Sequence, residues 1–95
     1  IAYEPVWAIG TGVAATPEIA TEIMGGVILR GLADLYGGDA ASQVPLLYGG
    51  SVTPENVEGF VTKECIHGAL VGGASLIANQ FIEIARITAR VKSQS

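Results

Sequence analysis

The chain has 95 residues, of which 49% are hydrophobic and only 15% charged, so it is too apolar to be disordered and is expected to form one domain. Its formal net charge of −4 argues against nucleic acid as a partner, because such binding depends on basic contacts with phosphates. The single cysteine, Cys65, excludes an intrachain disulfide and fits a reducing cytoplasm, and no apolar run approaches the roughly 18 residues of a membrane helix.

The chain opens with a strand end that becomes a glycine-containing loop. Residues 2–12 read AYEPVWAIGTG, so the carboxylate of Glu4 is followed at once by Pro5. Because proline pushes the preceding residue toward extended geometry, Glu4 is predicted at a stiff strand end, beneath a loop that can move as a lid. A fixed carboxylate under a cover suits proton abstraction from a small substrate. The alternative is a solvated surface carboxylate beside a tight connection.

A helix is predicted to begin at Thr16-Pro17-Glu18, which supplies a cap, a proline for the first helical position and an acid for the positive end of the dipole. The apolar residues that follow recur with a helical period: Ile19, Ala20, Ile23, Met24, Val27, Ile28, Leu32 and Leu35. Gly25-Gly26 interrupts this stripe, which a close approach of helices would explain. The helix is expected to end at Tyr36-Gly37-Gly38-Asp39, where a glycine can form a left-handed cap.

A short apolar strand is predicted over residues 44–48, with Pro45 tolerated at its start. Gly49-Gly50-Ser51-Val52 then predicts a turn, and Thr53-Pro54-Glu55 repeats the cap, proline and acid that begin the first helix. The helix that follows is short, with three residues on its apolar face: Val57, Phe60 and Val61.

A third strand, Ala69-Leu70-Val71, follows His67-Gly68, and Cys65 is expected to be a small buried hydrophobe just before it. Gly72-Gly73-Ala74-Ser75 turns the chain again. A last helix is predicted over roughly residues 79–91, with one side formed by four residues: Phe81, Ile84, Ala85 and Thr88.

Strand, loop and helix thus recur in the order of a parallel α/β architecture. Such a sheet would have two open edges and one uncovered face, which parallel sheets rarely tolerate. Alone, the chain is expected to be unstable, oligomeric or completed by a missing segment. The start at Ile1, without an initiator Met or a signal region, favours a piece of a longer protein.

Two glycine pairs follow the second and third predicted strands, at Gly49-Gly50-Ser51 and at Gly72-Gly73. Glycine lets the backbone approach an anion closely, and successive N–H groups near a helix start form an anion nest. From residue types alone, each pair is more often an ordinary turn than a ligand cradle. Their position after consecutive strands favours the cradle.

Three motifs carry a specific resemblance: AYEPVWAIGTG at 2–12, YGGSV at 48–52 and LVGGASL at 70–76. In this order they resemble the C-terminal part of the triosephosphate isomerase family. The resemblance implies a (β/α)8 TIM barrel of roughly 250 residues, of which residues 1–95 hold about the last three βα units as part of a single domain. It implies interconversion of dihydroxyacetone phosphate and glyceraldehyde 3-phosphate through an enediol(ate), with Glu4 as the general base and no cofactor or metal.

The resemblance also implies roles for the loops. Backbone N–H groups would bind the substrate phosphate at four positions: Gly10, Ser51, Gly72 and Gly73. The lid would contain seven further residues: Pro5, Val6, Trp7, Ala8, Ile9, Thr11 and Gly12. Tyr48 and Ser51 would latch the closed lid by hydrogen bonds. Trp7 can equally be a core residue or an anchor at the lid's first hinge.

Two positions depart from the family pattern. Val13 stands where a lysine often occupies the second hinge, which affects lid timing more than chemistry. Ile77-Ala78 stands where a proline commonly opens the last helix, which affects stability at most.

The family's electrophilic histidine and substrate-binding lysine would lie upstream of Ile1. His67 cannot replace that histidine, because it precedes the last strand at the opposite face of the barrel, and it is expected to be structural. Lys63 and Lys92 are also badly placed. The isolated chain is therefore expected to be inactive, and the intact protein to be a cytoplasmic homodimer with a small phosphorylated triose as substrate and no membrane partner. The alternatives are a phosphate-binding module without catalysis and a structural fragment that self-associates.

Overall fold

The computed structural model of the chain describes residues 1–8 and 14–93. In this part of the chain one parallel sheet has the order β1-β2-β3, formed by Ala2–Tyr3, Leu47–Gly50 and Gly68–Val71. Tyr3 is paired with Tyr48, and Tyr48 with Ala69. Because parallel neighbours need a long crossover, the chain returns through helices between strands, which confirms the predicted parallel α/β pattern.

The first crossover contains four helical segments, and the second is short. The first runs through α1 (Pro17–Ile23), a π-helical segment (Met24–Leu29), α2 (Arg30–Tyr36) and α3 (Gly38–Ser42). The second contains α4 (Val57–Val61). After β3 the chain forms a 3-10 turn (Gly73–Leu76) and then α5 (Ala78–Lys92). None of the helices in residues 1–8 and 14–93 is long and apolar enough to cross a membrane.

The first helix begins as predicted, because the Ile19 N–H donates to Thr16 Oγ1 at 3.1 Å. The predicted apolar stripe is correct in part, since Met24 is buried and Leu32 packs against the core. Three of its members are exposed instead: Ile19 by 42%, Val27 by 60% and Leu35 by 75%. The π-helical segment, which contains Val27, has wider turns than an α-helix and changes the phase of the residues after it, such as Leu35.

The glycines of this crossover occupy their positions for different structural reasons. A Cβ on Gly25 would lie 3.3 Å from Cys65 Sγ, so this glycine permits the predicted close approach, whereas Gly26 faces open space. Cys65 is half-buried against the core rather than fully buried. Gly37 ends α2 with a φ of 90°, a conformation that favours glycine. The helix α3 that follows it was not predicted.

Strand β2 starts and ends later than predicted. It begins at Leu47, after Pro45, and continues through Gly49 and Gly50, which pair with Leu70 and Val71 of β3. The first glycine pair is therefore the last part of a strand and not the turn that follows it. The turn is formed by the next residues of the chain.

The core lies between one face of the sheet and the helices. The largest fully buried side chains of the described residues lie there: Tyr48, Phe60, Met24, Leu46, Ile66, Val57 and Val61. The rings of Tyr48 and Phe60 are stacked with their centroids 4.1 Å apart. The apolar face predicted for α4 is confirmed, because Val57, Phe60 and Val61 are all buried.

The predicted face of the last helix is wrong in part. Ile84 and Ile87 are the buried residues of α5, whereas Phe81 is 46% exposed and Ala85 is exposed. The real stripe has three-residue spacing and lies beside the predicted one. Periodicity alone cannot choose between such neighbouring faces when both carry apolar residues.

Candidate active site at the carboxyl edge of the sheet

The two faces of the sheet have different surroundings. Side chains alternate along each strand, so Tyr3 and Tyr48 lie on the face that packs against the helices. Glu4 follows Tyr3 directly and therefore lies on the other face, where it is exposed. Leu70, 45% exposed, shares that face. A carboxylate at the end of β1 is thus presented to the open side of the sheet.

Glu4 lies directly over the first glycine of the β2 pair. A Cβ on Gly49 would be 2.9 Å from Glu4 Cγ and 3.5 Å from its Oε1. That distance is shorter than real Cβ contacts, so a larger residue at position 49 would displace the acidic side chain. The glycine at this strand position is explained by the close approach of Glu4, a reason the sequence reading did not find.

A cleft of about 540 Å³ opens at the carboxyl ends of the strands. Its wall includes Glu4, Ser51 and both glycine pairs, together with five residues of the adjoining turns and strands and two of the last helical region. Glu4 and the two glycine motifs therefore lie at one end of the sheet, as the predicted site required. Gly10, also predicted for this site, lies outside the described residues.

Two polar side chains of the β2 region bond to the backbone on either side of residues 9–13. Ser51 Oγ donates to the Ala8 carbonyl at 2.9 Å, and the Ala15 N–H donates to Tyr48 Oη at 2.9 Å. Burial of the Tyr48 phenol raises its pKa, and the bond from Ala15 opposes that shift only in part. One residue within the predicted lid and one just beyond it are thus held by the same strand and turn.

The predicted lid residues differ in burial. Pro5 and Ala8 are buried, and the Ala8 N–H closes a tight turn onto the Pro5 carbonyl at 2.8 Å. Val6 is 83% exposed and Trp7 is 50% exposed, so Trp7 is not a core residue. The remaining predicted lid residues, and the departing hinge residue, lie outside the described residues: Ile9, Gly10, Thr11, Gly12 and Val13.

The second glycine pair follows β3 and leads into the 3-10 turn. Both Gly72 and Gly73 are exposed, and a Cβ on either would meet open space. The turn is closed by the Ser75 N–H, which donates to the Gly72 carbonyl at 2.9 Å. Ile77, at the start of α5, supplies no side-chain cap in the described structure. The backbone here can therefore be approached closely by a ligand near a helix start.

Sequence reasoning missed several residues at this edge. Thr53 and Gln80 contribute to the wall of the cleft, and the Asn56 side chain donates a hydrogen bond to the Ser51 carbonyl of the turn. A signal for Asn56 was present, because Thr53 and Asn56 have the three-residue separation of a capping box. The predicted helix start at Thr53 is wrong, since α4 itself begins at Val57. Thr53 instead closes the turn that precedes α4.

The opposite edge of the sheet holds the remaining chemistry-bearing side chains. His67 immediately precedes β3. Its ring Nδ1 accepts the Leu46 N–H at 2.8 Å, and its backbone N–H donates to the Leu46 carbonyl at 2.8 Å. Lys92 Nζ donates to the Lys63 carbonyl at 3.2 Å, and partial burial lowers the pKa of Lys92. His67, Lys63 and Lys92 thus lie away from Glu4. Within residues 1–8 and 14–93, no group of three His, Cys, Asp or Glu side chains is placed to hold a metal ion.

The fold and the cleft together indicate the class of protein to which the chain belongs. Parallel βα units with a ligand-sized cleft at the carboxyl ends of their strands are typical of α/β proteins that bind small molecules. The sequence model described as "TIM: Triosephosphate isomerase" matches residues 1–88. The chain belongs to the triosephosphate isomerase family.

Curated relatives support this assignment. The chain is 56% identical to the triosephosphate isomerase of Caldanaerobacter subterraneus subsp. tengcongensis over 84 residues, which cover 88% of this chain and 34% of that protein. It is 55% identical to the enzyme of Lactococcus lactis subsp. cremoris and 54% identical to that of Roseiflexus castenholzii, each over 88% of this chain and 33% of the relative. The chain therefore spans about a third of the length of the relatives it matches.

Proposed function

We propose that this chain supplies the general base and the phosphate-binding loops of an isomerase that interconverts dihydroxyacetone phosphate and glyceraldehyde 3-phosphate. One observation carries the proposal: the Glu4 side chain lies over Gly49 in the same cleft as Ser51 and the Gly72-Gly73 turn. Family membership supports the substrate class, because the relatives are triosephosphate isomerases.

Glu4 is the group that moves the proton. Its carboxylate takes a proton from the hydroxyl-bearing carbon next to the substrate carbonyl, which leaves an enediol(ate). The hydroxyl proton passes to the former carbonyl oxygen, and the carboxyl group returns its proton to the neighbouring carbon. Substrate and product are isomers, so no oxidant or reductant is consumed. Pro5, which is buried and has a fixed φ, holds the carboxylate at the strand end.

The phosphate is bound by backbone N–H groups. Those of Ser51, Gly72 and Gly73 belong to the turns that form the wall of the cleft, and the Gly10 N–H joins them when the lid is closed. The start of α5 adds the positive end of a helix dipole near the second turn. Local backbone groups of this kind outweigh the formal net charge of −4.

The lid formed by residues 5–12 closes over the intermediate. Ser51 bonds to Ala8 within the lid and Tyr48 to Ala15 just after it, so they act as the latch. Closure excludes water from the enediol(ate) phosphate, which otherwise eliminates phosphate, and strengthens the electrostatic interactions inside the cleft.

The rest of the site comes from strands that precede Ile1 in the complete barrel. These supply the electrophilic histidine and the substrate-binding lysine, and the complete protein is a cytoplasmic homodimer. We therefore expect residues 1–95 alone to show no turnover above background. A preparation proven to contain only this chain that turned over substrate would overturn this division of labour.

The test uses a completed barrel, defined here as this chain joined to the preceding two-thirds of the Caldanaerobacter relative. The completed barrel should isomerise triose phosphates, and Glu4→Gln should lower kcat by about 10²- to 10⁴-fold, because an amide cannot accept the proton. Glu22→Gln, an exposed change of the same type on α1, is the control and should leave kcat unchanged.

Titration with phosphoglycolate separates this function from a phosphate-binding module without catalysis. If the chain were only a phosphate-binding module, the completed barrel would bind phosphoglycolate without turning over triose phosphates. If the completed barrel is active and Glu4→Gln retains full turnover, the assignment of the base fails. Sedimentation of the isolated chain at several concentrations tests the self-associating fragment, against which a well-folded monomer would count.

A further inference from the structure

Asn56 connects the turn after β2 to the backbone that leads into α4. Its side-chain amide donates from Nδ2 to the Ser51 carbonyl at 2.7 Å, while its Oδ1 accepts the Thr53 N–H at 2.8 Å. One planar amide therefore holds both ends of residues 51–53. Asn56 is half-buried and, unlike Ser51 and Thr53, is not among the residues that line the cleft.

The amide is itself anchored to the core. The Asn56 N–H donates to Thr53 Oγ1 and to the Thr53 carbonyl, each at 3.2 Å, and the Val57 N–H donates to the same carbonyl at 3.0 Å. These reciprocal bonds resemble a capping box in which asparagine replaces the usual acid. Val57 is fully buried, as is Phe60 one turn later. The position of Asn56 is thus set by packed residues.

The direction of the Ser51 carbonyl matters for anion binding. A carbonyl oxygen carries partial negative charge and would repel a phosphate if it turned into the cleft. The bond from Asn56 Nδ2 ties this oxygen to a residue that does not line the cleft. The side chain of the same residue is also bonded, because Ser51 Oγ donates to the Ala8 carbonyl. Ser51 is therefore fixed both at its main chain and at its side chain.

We infer that Asn56 is a positioning residue for the phosphate site, which it supports by holding the Ser51 carbonyl away from the bound anion. The inference rests on the proposed function, because it names a support for the same phosphate-binding turn. Only the donor half of the amide serves the site. The acceptor half, which bonds to Thr53, serves the folding of the turn before α4.

Two variants of the completed barrel separate these halves. Asn56→Ala removes both bonds without adding charge. Asn56→Asp restores an acceptor for the Thr53 N–H but places a carboxylate against the Ser51 carbonyl. We expect Asn56→Ala to lower Tm and to raise both KM and the phosphoglycolate Kd by about ten-fold, with a smaller change in kcat. Asn56→Asp should recover much of the lost Tm and none of the lost affinity.

Gln43→Glu is the charge control for Asn56→Asp. It converts an exposed amide to a carboxylate near the opposite end of β2, and it should leave KM unchanged. A purely structural role for Asn56 would make affinity follow Tm, so that Asn56→Asp recovers both. That result, or an unchanged phosphoglycolate Kd in Asn56→Ala, would overturn the inference.

The remaining outcomes are also decisive. If Asn56→Ala does not fold, Asn56→Ser takes its place, since its hydroxyl is neutral and too short to span the turn. If neither folds, Asn56 is a folding residue and the inference is overturned. A parent completed barrel that neither turns over triose phosphates nor binds phosphoglycolate would instead refute the proposed function. An active parent whose Asn56 variants bind normally would refute only the inference.

Discussion

The two edges of the sheet use polar side chains in opposite ways. At the carboxyl edge, Ser51 and Tyr48 bond to loop backbone on either side of residues 9–13 and leave a cleft that contains Glu4. At the amino edge, His67 directs both its ring nitrogen and its backbone N–H to Leu46, so its hydrogen bonds join β3 to the segment that enters β2.

This difference follows from the direction of the strands. Parallel strands all release their loops at the carboxyl edge, where helix starts point back toward the sheet and their N–H groups face a common space. At the amino edge the chain arrives from helix ends, and polar groups are needed to satisfy backbone donors before the strands begin. A histidine at one edge is therefore a structural residue, while a glutamate at the other has a cleft to act in.

Apart from the loss of the Glu4 carboxylate itself, the largest effect is expected from Gly49→Ala in the completed barrel. The new Cβ would lie 2.9 Å from Glu4 Cγ, and the flexible acidic side chain would move to relieve the contact. Because displacement of a catalytic group by about 1 Å can cost about 100-fold, we expect kcat to fall by that order while Tm changes little. Steady-state kinetics and thermal unfolding measure the two quantities.

Gly26→Ala is the matched control, because a Cβ at this position meets open space. It should leave kcat unchanged. If Gly49→Ala kept full kcat, the carboxylate would not need its position over the end of β2. The expectation that the carboxyl edge is the one that serves the reaction would then be contradicted.

A smaller effect, in stability alone, is expected at the amino edge. His67→Ala removes the acceptor for the Leu46 N–H and should lower the free energy of unfolding by about 1 to 2 kcal/mol, with kcat and KM unchanged. His67→Asn, whose Oδ1 can accept the same bond, should recover part of the loss. Denaturant unfolding of the completed barrel measures the first quantity. A ten-fold fall in kcat for His67→Ala would show that this edge also serves the reaction.

The carboxyl edge of the sheet could be predicted from the sequence more accurately than the turns and helix faces around it. Glu4 and the paired glycines could be placed together because all parallel strands point their carboxyl ends the same way. The role of Asn56 was missed because its bond to the Ser51 carbonyl depends on the path of a turn. The exposure of Phe81 was also missed, because the choice between two adjoining apolar faces of α5 is made by its packing against α4.

The π-helical segment shows a further limit of the sequence pattern. The period of the apolar residues suggested one continuous α-helix, yet residues 24–29 adopt wider turns. Gly25 lies in this segment, and its lack of a side chain admits Cys65. A glycine pair in a helix indicates a close contact or an irregular turn, but the residue that makes the contact is distant in sequence. Only the folded chain identifies that residue.

The smallest effect is a pH dependence at the carboxyl edge. Burial raises the pKa of Tyr48 above its ordinary value of 10.0, so the folded state favours the neutral phenol. Its contribution to stability is present below about pH 10 and is lost as the pH rises through the folded-state pKa. Tyr48→Phe in the completed barrel should therefore show a weaker fall in unfolding free energy between about pH 9 and 11 than the parent. Tyr36→Phe, at a residue that is 69% exposed, should retain the parent's slope, and an equal slope in all three proteins would show that the Tyr48 phenol is no more shielded than a surface tyrosine.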